Sequence, residues 1–202
     1  MDKKILFVLA IPKQAKKFWG SEEFKQKIDA ISQYDLENLD LSKYSGIIFS
    51  LYVDQYLLLS LKDKLTNFLN NGNKIVFNGH IFKAFLKDLN SFIPIQNPSL
   101  NDFSITKLKD HPIYHNIDMD KLSKRKGVAG FFSRGTNPPL KNSQYIMAIK
   151  NGACIVDWEA KFNDGILYVH SGNDLWTCME DFEDNKIMFK NIISWIRGED
   201  NE

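Results

Sequence analysis

Arginine is scarce in this chain: Arg125, Arg134 and Arg197 are the only three among 202 residues. Guanidinium groups are the usual bidentate readers of phosphate and guanine, so the shortage argues against a nucleic-acid surface. An excess of one charge is missing too. Twenty-six Lys plus Arg stand against 25 Asp plus Glu, a formal net charge of +1, so no whole-molecule field gathers polyanions or an anionic membrane. Cysteine is limited to Cys154 and Cys178, without a CxxC spacing, which predicts a reduced cytoplasmic protein with neither a disulfide framework nor a zinc ribbon. No apolar run approaches the roughly 20 residues that a membrane-spanning helix needs. The opening MDKKILFVLAIPKQAKK imitates a secretion signal, but its apolar run stops at Pro12 and lysines follow where small residues would be required. It reads as a buried first strand. What is abundant is core material: 44% hydrophobic and 13% aromatic residues with 25% charged ones describe a soluble chain forming one domain over 1–202.

The first half alternates strand and helix. Ile5 to Ala10 is a continuous apolar run of strand length, as for a parallel strand covered on both faces. Ser21 to Ser32 predicts a helix, with Ser21 as N-cap and Phe24, Ile28 and Ile31 at helical spacing. Leu36 to Leu39 reads as a short edge strand, and Gly46 to Leu51 as another buried strand. Asp54 then opens a helix reaching Leu69 and closed by Asn70-Asn71-Gly72-Asn73. Lys74 to Asn78 is the next strand, and Gly79-His80 turns into a predicted helix over Ile81 to Leu89. Such alternation implies right-handed crossovers and a parallel sheet, with ligands at the carboxyl ends of the strands.

From Phe92 to about residue 160 the pattern changes. Prolines stand at 94, 98, 112, 138 and 139, with short β-like stretches at Ser104–Leu108, Val128–Ser133 and Tyr145–Ile149. The aromatics Phe82, Phe85, Phe92, Phe131, Phe132 and Phe189 are assigned to the core. Ala153–Trp158 and Ile166–His170 read as a strand pair around the turn Asn163-Asp164-Gly165. A last amphipathic helix, about Asp184 to Arg197, offers Ile187, Met188, Ile192, Ile193 and Ile196 to the sheet, and the closing GEDNE reads as frayed. The fold expected is α/β: a flavodoxin-like three-layer sandwich with a mostly parallel central sheet and a β-rich insertion in the second half.

Three stretches together resemble the class I glutamine amidotransferase-like superfamily, and within it the ThuA-like, trehalose-utilisation branch. They are KIVFNGHIFKAF at the place of the nucleophile elbow, Asp110-His111-Pro112-Ile113, and DGILYVHSGNDLW followed by the helix ending SWIRGE. The resemblance implies a cysteine at the elbow, activated by a histidine that a glutamate orients. Here the elbow residue is His80, and Gly172 stands where that glutamate is wanted after His170. Without a thiolate no covalent intermediate forms, so glutamine hydrolysis is disfavoured.

His80, at the mouth between strand and predicted helix, would lie near backbone N–H groups that favour an anion and lower its pKa. It serves as base, hydrogen-bond donor or metal ligand, or simply caps the turn and bonds a neighbouring loop. His170 ends the last strand before the polar cluster Ser171-Gly172-Asn173-Asp174 and would converge with His80. Asp157 and Glu159 share a strand face, so one of them can orient His170; alternatively both are solvated beside an inward Trp158. Tyr52, Asp54 and Gln55 are candidate crevice walls, Asp54 doubling as an N-cap, and Asn78 and Gly79 shape the corner. Arg134 either clamps an anion or is merely exposed beside phenylalanines. His111 and His115 have i, i+4 spacing, but Pro112 and the lack of a third ligand favour a loop over zinc. The basic run Lys121 to Lys126 is read as a solvated loop.

Two functions from different classes follow. One is an amidotransferase-like domain lacking the nucleophilic cysteine that holds a small polar ligand or a partner protein. The other is a ThuA-like enzyme of hydrolase or isomerase type, acting on a carbohydrate-like or carbonyl substrate through His80, His170, Asp157 and Glu159, with Asn173, Asp174 and Arg134 binding. No metal, cofactor, nucleic acid or membrane is implied, and an exposed sheet edge allows a homo-oligomer.

Overall fold

A computed structural model describes residues 3–11, 22–123, 125–179 and 181–199. Their organising element is an eight-stranded sheet. Strands β1 (Lys4–Leu9), β2 (Ile28–Ser32), β3 (Tyr44–Phe49) and β4 (Lys74–Asn78) are parallel. Helix α1 (Glu22–Lys27) joins β1 to β2, and α2 (Gln55–Ser60) with α3 (Lys62–Asn70) joins β3 to β4. The remaining strands are β5 (Ile93–Pro94), β6 (Thr106–Lys107), β7 (Gly135–Thr136), β8 (Gln144–Ile149), β9 (Cys154–Phe162) and β10 (Gly165–His170). A short α4 (Met119–Ser123) precedes β7, and α5 (Glu183–Arg197) closes the chain.

The order across the sheet is β2-β1-β3-β4-β10-β9-β8-β6, while β5 and β7 form a separate two-stranded ribbon. β10 runs parallel to β4, and β9, β8 and β6 follow antiparallel. The architecture is therefore α/β and flavodoxin-like, and the second-half insertion extends the same sheet. α1 and α5 cover one face, packing Phe24, Met188, Phe189 and Ile192 against Ile5, Phe7, Ile48 and Val76. α2 and α3 cover the other, where Leu58, Leu65 and Leu69 meet Leu6, Ile47, Ile75 and Phe77. Being covered twice is why β1, β3 and β4 are continuous apolar runs. α5 ends at Gly198, whose left-handed φ of 71° lets its N–H reach the Ser194 and Trp195 carbonyls.

Several expectations are corrected. The helix predicted over Ser21–Ser32 stops at Lys27, and Ile28–Ser32 is the edge strand, its register set by Ile5 opposite Ile28. Pairing with the open edge of β1 outweighs a weak local helical spacing. Ser21, the proposed cap, lies outside the described residues. Leu36–Leu39 is a turn, not an edge strand, and the helix after Asp54 is broken at Leu61. No helix follows the Gly79-His80 turn. Ile81, Phe85, Leu86 and Leu89 are buried at helix-like spacing, yet the backbone is irregular, and Asp88 sits at φ 65°. Its N–H groups are met by side chains instead: Ile81 N donates to Asn137 Oδ1, and Phe82 N and Lys83 N to Gln55 Oε1. Phe82 is 64% exposed, not core. Residues 128–133 form turns, with a lone antiparallel bridge from Ser133 to Gly172. The basic run is not uniformly solvated, since Arg125 is 2% exposed, lies over the Phe182 ring and pairs with Asp184 at 3.7 Å. In the tail, Glu199 accepts from Lys27 at 3.0 Å. Among the described residues, no helix is long and apolar enough to cross a membrane.

Candidate functional site

The carboxyl ends of β3, β4 and β10 adjoin one another, because β4 lies between the other two. Asn78, at the end of β4, donates from Nδ2 to Phe49 O at 3.1 Å and accepts from Leu175 N at 3.4 Å. Gly79 follows at φ 111° with its N–H on His170 O at 3.0 Å. A Cβ there would stand 2.7 Å from Leu51 Cα, so both conformation and close approach require glycine. A turn at residues 78–80 is present at the carboxyl end of β4, but the helix expected to complete the corner is not. With no helix after it, His80 gains no helix dipole.

His170 is the centre of a closed hydrogen-bond network. Its Nδ1 is 2.5 Å from Asp157 Oδ1, directly opposite on β9. Tyr168 donates to Asp157 Oδ2 at 3.0 Å, and Tyr114 donates to the same oxygen. Two tyrosine hydroxyls and the imidazole Nδ1 thus converge on one buried carboxyl group, and Nε2 is the ring nitrogen turned away from it. Burial and the neighbouring Asp157 raise the Tyr114 and Tyr168 hydroxyls well above their ordinary pKa, so both remain donors.

That arrangement is an oriented base without access. His170 is 0% exposed, and its Nε2 makes no hydrogen bond. The Phe132 ring lies 4.6 Å from the imidazole, and the chain at 131–137 is strapped across it. Ser133 donates from Oγ to Ser171 O at 2.5 Å, Asn137 N donates to Ser171 Oγ at 2.8 Å, and Asn173 Nδ2 reaches Phe131 O at 2.6 Å. Asn137 secures the strap to the corner. Its side chain accepts from Ile81 N and donates to Gly79 O, both at 2.8 Å, while its backbone carbonyl accepts a hydrogen bond from Trp158 Nε1. A Cβ on Gly172 would lie 1.9 Å from Phe132 O, so the strap's approach depends on that glycine.

A second buried carboxyl, Asp174, sits beside this network. Oδ1 accepts from Leu51 N at 2.7 Å and Oδ2 from Ser50 Oγ at 2.9 Å. Desolvation lifts its pKa to about 6 even though these bonds and His170 pull the other way. The outer rim is different. His80 is half-buried and stacks on Phe92 with ring centroids 3.6 Å apart; burial, with a smaller push from His170, lowers its pKa. Gln55 Nε2 donates to His80 O at 2.7 Å, and the Phe82 ring lies 6.0 Å from the imidazole; Phe82 is 64% exposed, as Tyr52 and Tyr56 in the segment after β3 are 57% and 69%.

The structure therefore brings together His170, Asp157, Asn78, Gly79 and Asp174, with His80 at the margin. It does not bring Glu159 there: that carboxylate lies 3.3 Å from His111 Nε2, while His111 Nδ1 accepts from Ile113 N. Of the two strand carboxylates, Asp157 is the orienter, and neither lies on a freely solvated face. Asp54 caps α2 through Tyr56 N and Leu57 N. Arg134 is exposed, donates to Ala129 O and lies over Phe103. Cys154 opens β9, and Cys178 occupies a left-handed turn before α5, so neither supplies a thiol to the corner. Among the described residues, no group of three His, Cys, Asp or Glu side chains is placed to hold a metal.

Sequence reasoning missed Tyr114, Tyr168, Asn137 and Ser50. Tyr168 carried a signal, since it lies two residues before His170 on the same strand face. Asn137 carried none beyond its place before Pro138-Pro139.

No family model and no curated protein matches this chain. Solved structures with a similar fold include a cytoplasmic protein of Salmonella typhimurium, 10% identical over 95% of this chain and 98% of that one, with a TM-score of 0.61. A second cytoplasmic protein, from Salmonella typhimurium LT2, is 10% identical over 96% and 99%, with a TM-score of 0.57. The mmIFT52 N-terminal domain is 11% identical over 98% and 100%, with a TM-score of 0.54. At these identities the likeness shows the fold alone.

Proposed function

We propose that this chain is an amidotransferase-like domain, resembling the ThuA-like branch, that works by binding and not by glutamine hydrolysis. The observation that carries this reading is the sealed His170: its free nitrogen is buried under Phe132 and Ser133, at a corner that bears His80 in place of a thiol. Hydrolysis needs both a nucleophile and a base that reaches its proton directly or through one water. What is exposed at this end of the sheet is Phe82, beside the half-buried His80, and Tyr52 and Tyr56 in the segment after β3, aromatic and hydroxyl groups able to hold a small polar ligand by stacking and hydrogen bonds. A cytoplasmic setting fits the two unpaired cysteines.

The test pairs an activity with a binding measurement. Incubation with millimolar glutamine should release no ammonia above buffer. Nuclear magnetic resonance titration with panels of sugars, amino acids and small carboxylates should move His80, Tyr52 and Phe82 while leaving the His170 ring unchanged. Ammonia release abolished by His170→Ala would overturn the reading.

The enzyme reading has one observation in its favour, the completed His170–Asp157 pair at 2.5 Å backed by two tyrosine hydroxyls. It requires the 131–137 strap to lift so that Nε2 meets a carbohydrate-like or carbonyl substrate. Substrate-dependent turnover that rises in Asn137→Ala and vanishes on removing His170 would favour it over the binding domain.

A further inference from the structure

The chain that follows the strap, at residues 139–142, borders a crevice of about 790 Å³. Its size lies within the usual range of small-molecule sites, roughly 300–1,000 Å³. Leu140 and Phe162 form its apolar part; both are half-buried and pack against the core face under α2 and α3. Lys87, Lys141 and Lys161 converge on it from three separate segments, and the carboxylate that joins them is Asp88. All three lysines are exposed and have no ion-pair partner among the described residues. In a molecule of net charge +1, this is a local surplus of positive charge beside a patch of apolar surface.

We infer that this crevice binds a small organic phosphate: a flat apolar body set on Leu140 and Phe162, with a dianionic group among Lys87, Lys141 and Lys161. Lysine acts as a compact point charge toward phosphate, and several lysines around one opening favour two negative charges over one. The apolar floor selects for a ring attached to that group, because bare inorganic phosphate leaves Leu140 and Phe162 wet. The inference stands apart from the reading of the His80 rim, and neither depends on the other.

Phenyl phosphate is the probe, titrated into isotope-labelled full-length protein at neutral pH and low ionic strength, where the phosphate is largely dianionic. Saturating amide shifts should appear at Leu140, Asn142, Lys161 and Phe162. Phenol, benzoate and inorganic phosphate should each bind at least about tenfold more weakly, a difference of about 1.4 kcal/mol. Lys141→Glu and Lys161→Glu, both exposed positions, should each weaken phenyl phosphate by about tenfold with an unchanged melting temperature. Inorganic phosphate binding as well as phenyl phosphate would reduce the site to an ionic patch and overturn the inference. Equal binding of phenol, or shifts that do not saturate at these residues, would overturn it as well.

Discussion

His170 ends β10 and His80 lies in the turn just after the neighbouring parallel strand β4, yet they live in opposite surroundings. His170 is locked by Asp157, shielded by Phe132 and 0% exposed. His80 is half-buried, stacked on Phe92 and bordered by the exposed Phe82. Position on the fold marks where a site is built, but coverage decides what a side chain there can do. The imidazole oriented by a carboxylate is the one closed off from solvent, and the less buried imidazole has no carboxylate partner among the described residues.

The sharpest way to break this contrast is Asp157→Ala. It leaves the Nδ1 proton of His170 and the hydroxyls of Tyr114 and Tyr168 buried without their acceptor, at a cost of about 4 kcal/mol in urea unfolding. His80→Ala should cost under about 1 kcal/mol in the same assay. Comparable losses in the two variants would mean that the network is not what holds the rim together.

Asp174 gives the next largest effect. Its folded pKa of about 6 lies above the ordinary carboxyl value of 3.8, so the protonated form is favoured in the native state. The associated stability is complete below the unfolded pKa and is lost as pH rises through about 6, an amount of about 3 kcal/mol. Asp174→Asn keeps an acceptor for Leu51 N and places an amide donor against Ser50 Oγ. Unfolding free energies should therefore fall between pH 4 and pH 6 in the parent and stay flatter in the variant; parallel profiles would contradict the assignment.

Asn137→Ala should loosen the strap by about 2 kcal/mol, since Ile81 N and Gly79 O lose their side-chain partner. The readout is acylation by diethyl pyrocarbonate: in the parent only His80 of the rim pair reacts, and in the variant His170 becomes reactive too. Smallest of all is Phe92→Ala, which uncovers His80 and should bring its titration, followed by ring proton resonances, back up toward the ordinary 6.5. No movement would show that stacking on Phe92 is not what buries the ring.

The legible parts of the fold were those whose signal lies within a few residues. β1, β3, β4 and α5 were readable because burial on both sheet faces, or on one helix stripe, writes a continuous or periodic pattern. The β9–β10 pair was readable from its Asn-Asp-Gly turn. Ile28–Ser32 was misread because its spacing suits a helix and only the open edge of β1 makes it a strand. Ile81–Leu89 was misread for a related reason: its apolar spacing is real, but Gln55 and Asn137 satisfy its backbone from outside. At the rim the structure places His170, Asp157, Asn78 and Asp174 near one another, with Asp157 buried against His170 and not on a solvated face, while Glu159 and Arg134 lie elsewhere.

Composition, charge balance and local periodicity were enough to determine an α/β chain with its chemistry-bearing residues at strand ends, because hydrophobic patterning and turn preference act over short stretches. They also determined that no cysteine occupies the corner at residues 78–80. Whether His170 meets solvent was decided by residues 131–137 folding back across it, and whether Arg125 is buried by its packing over Phe182. Burial is a property of what lies on top, and what lies on top comes from parts of the chain whose meeting no local pattern records.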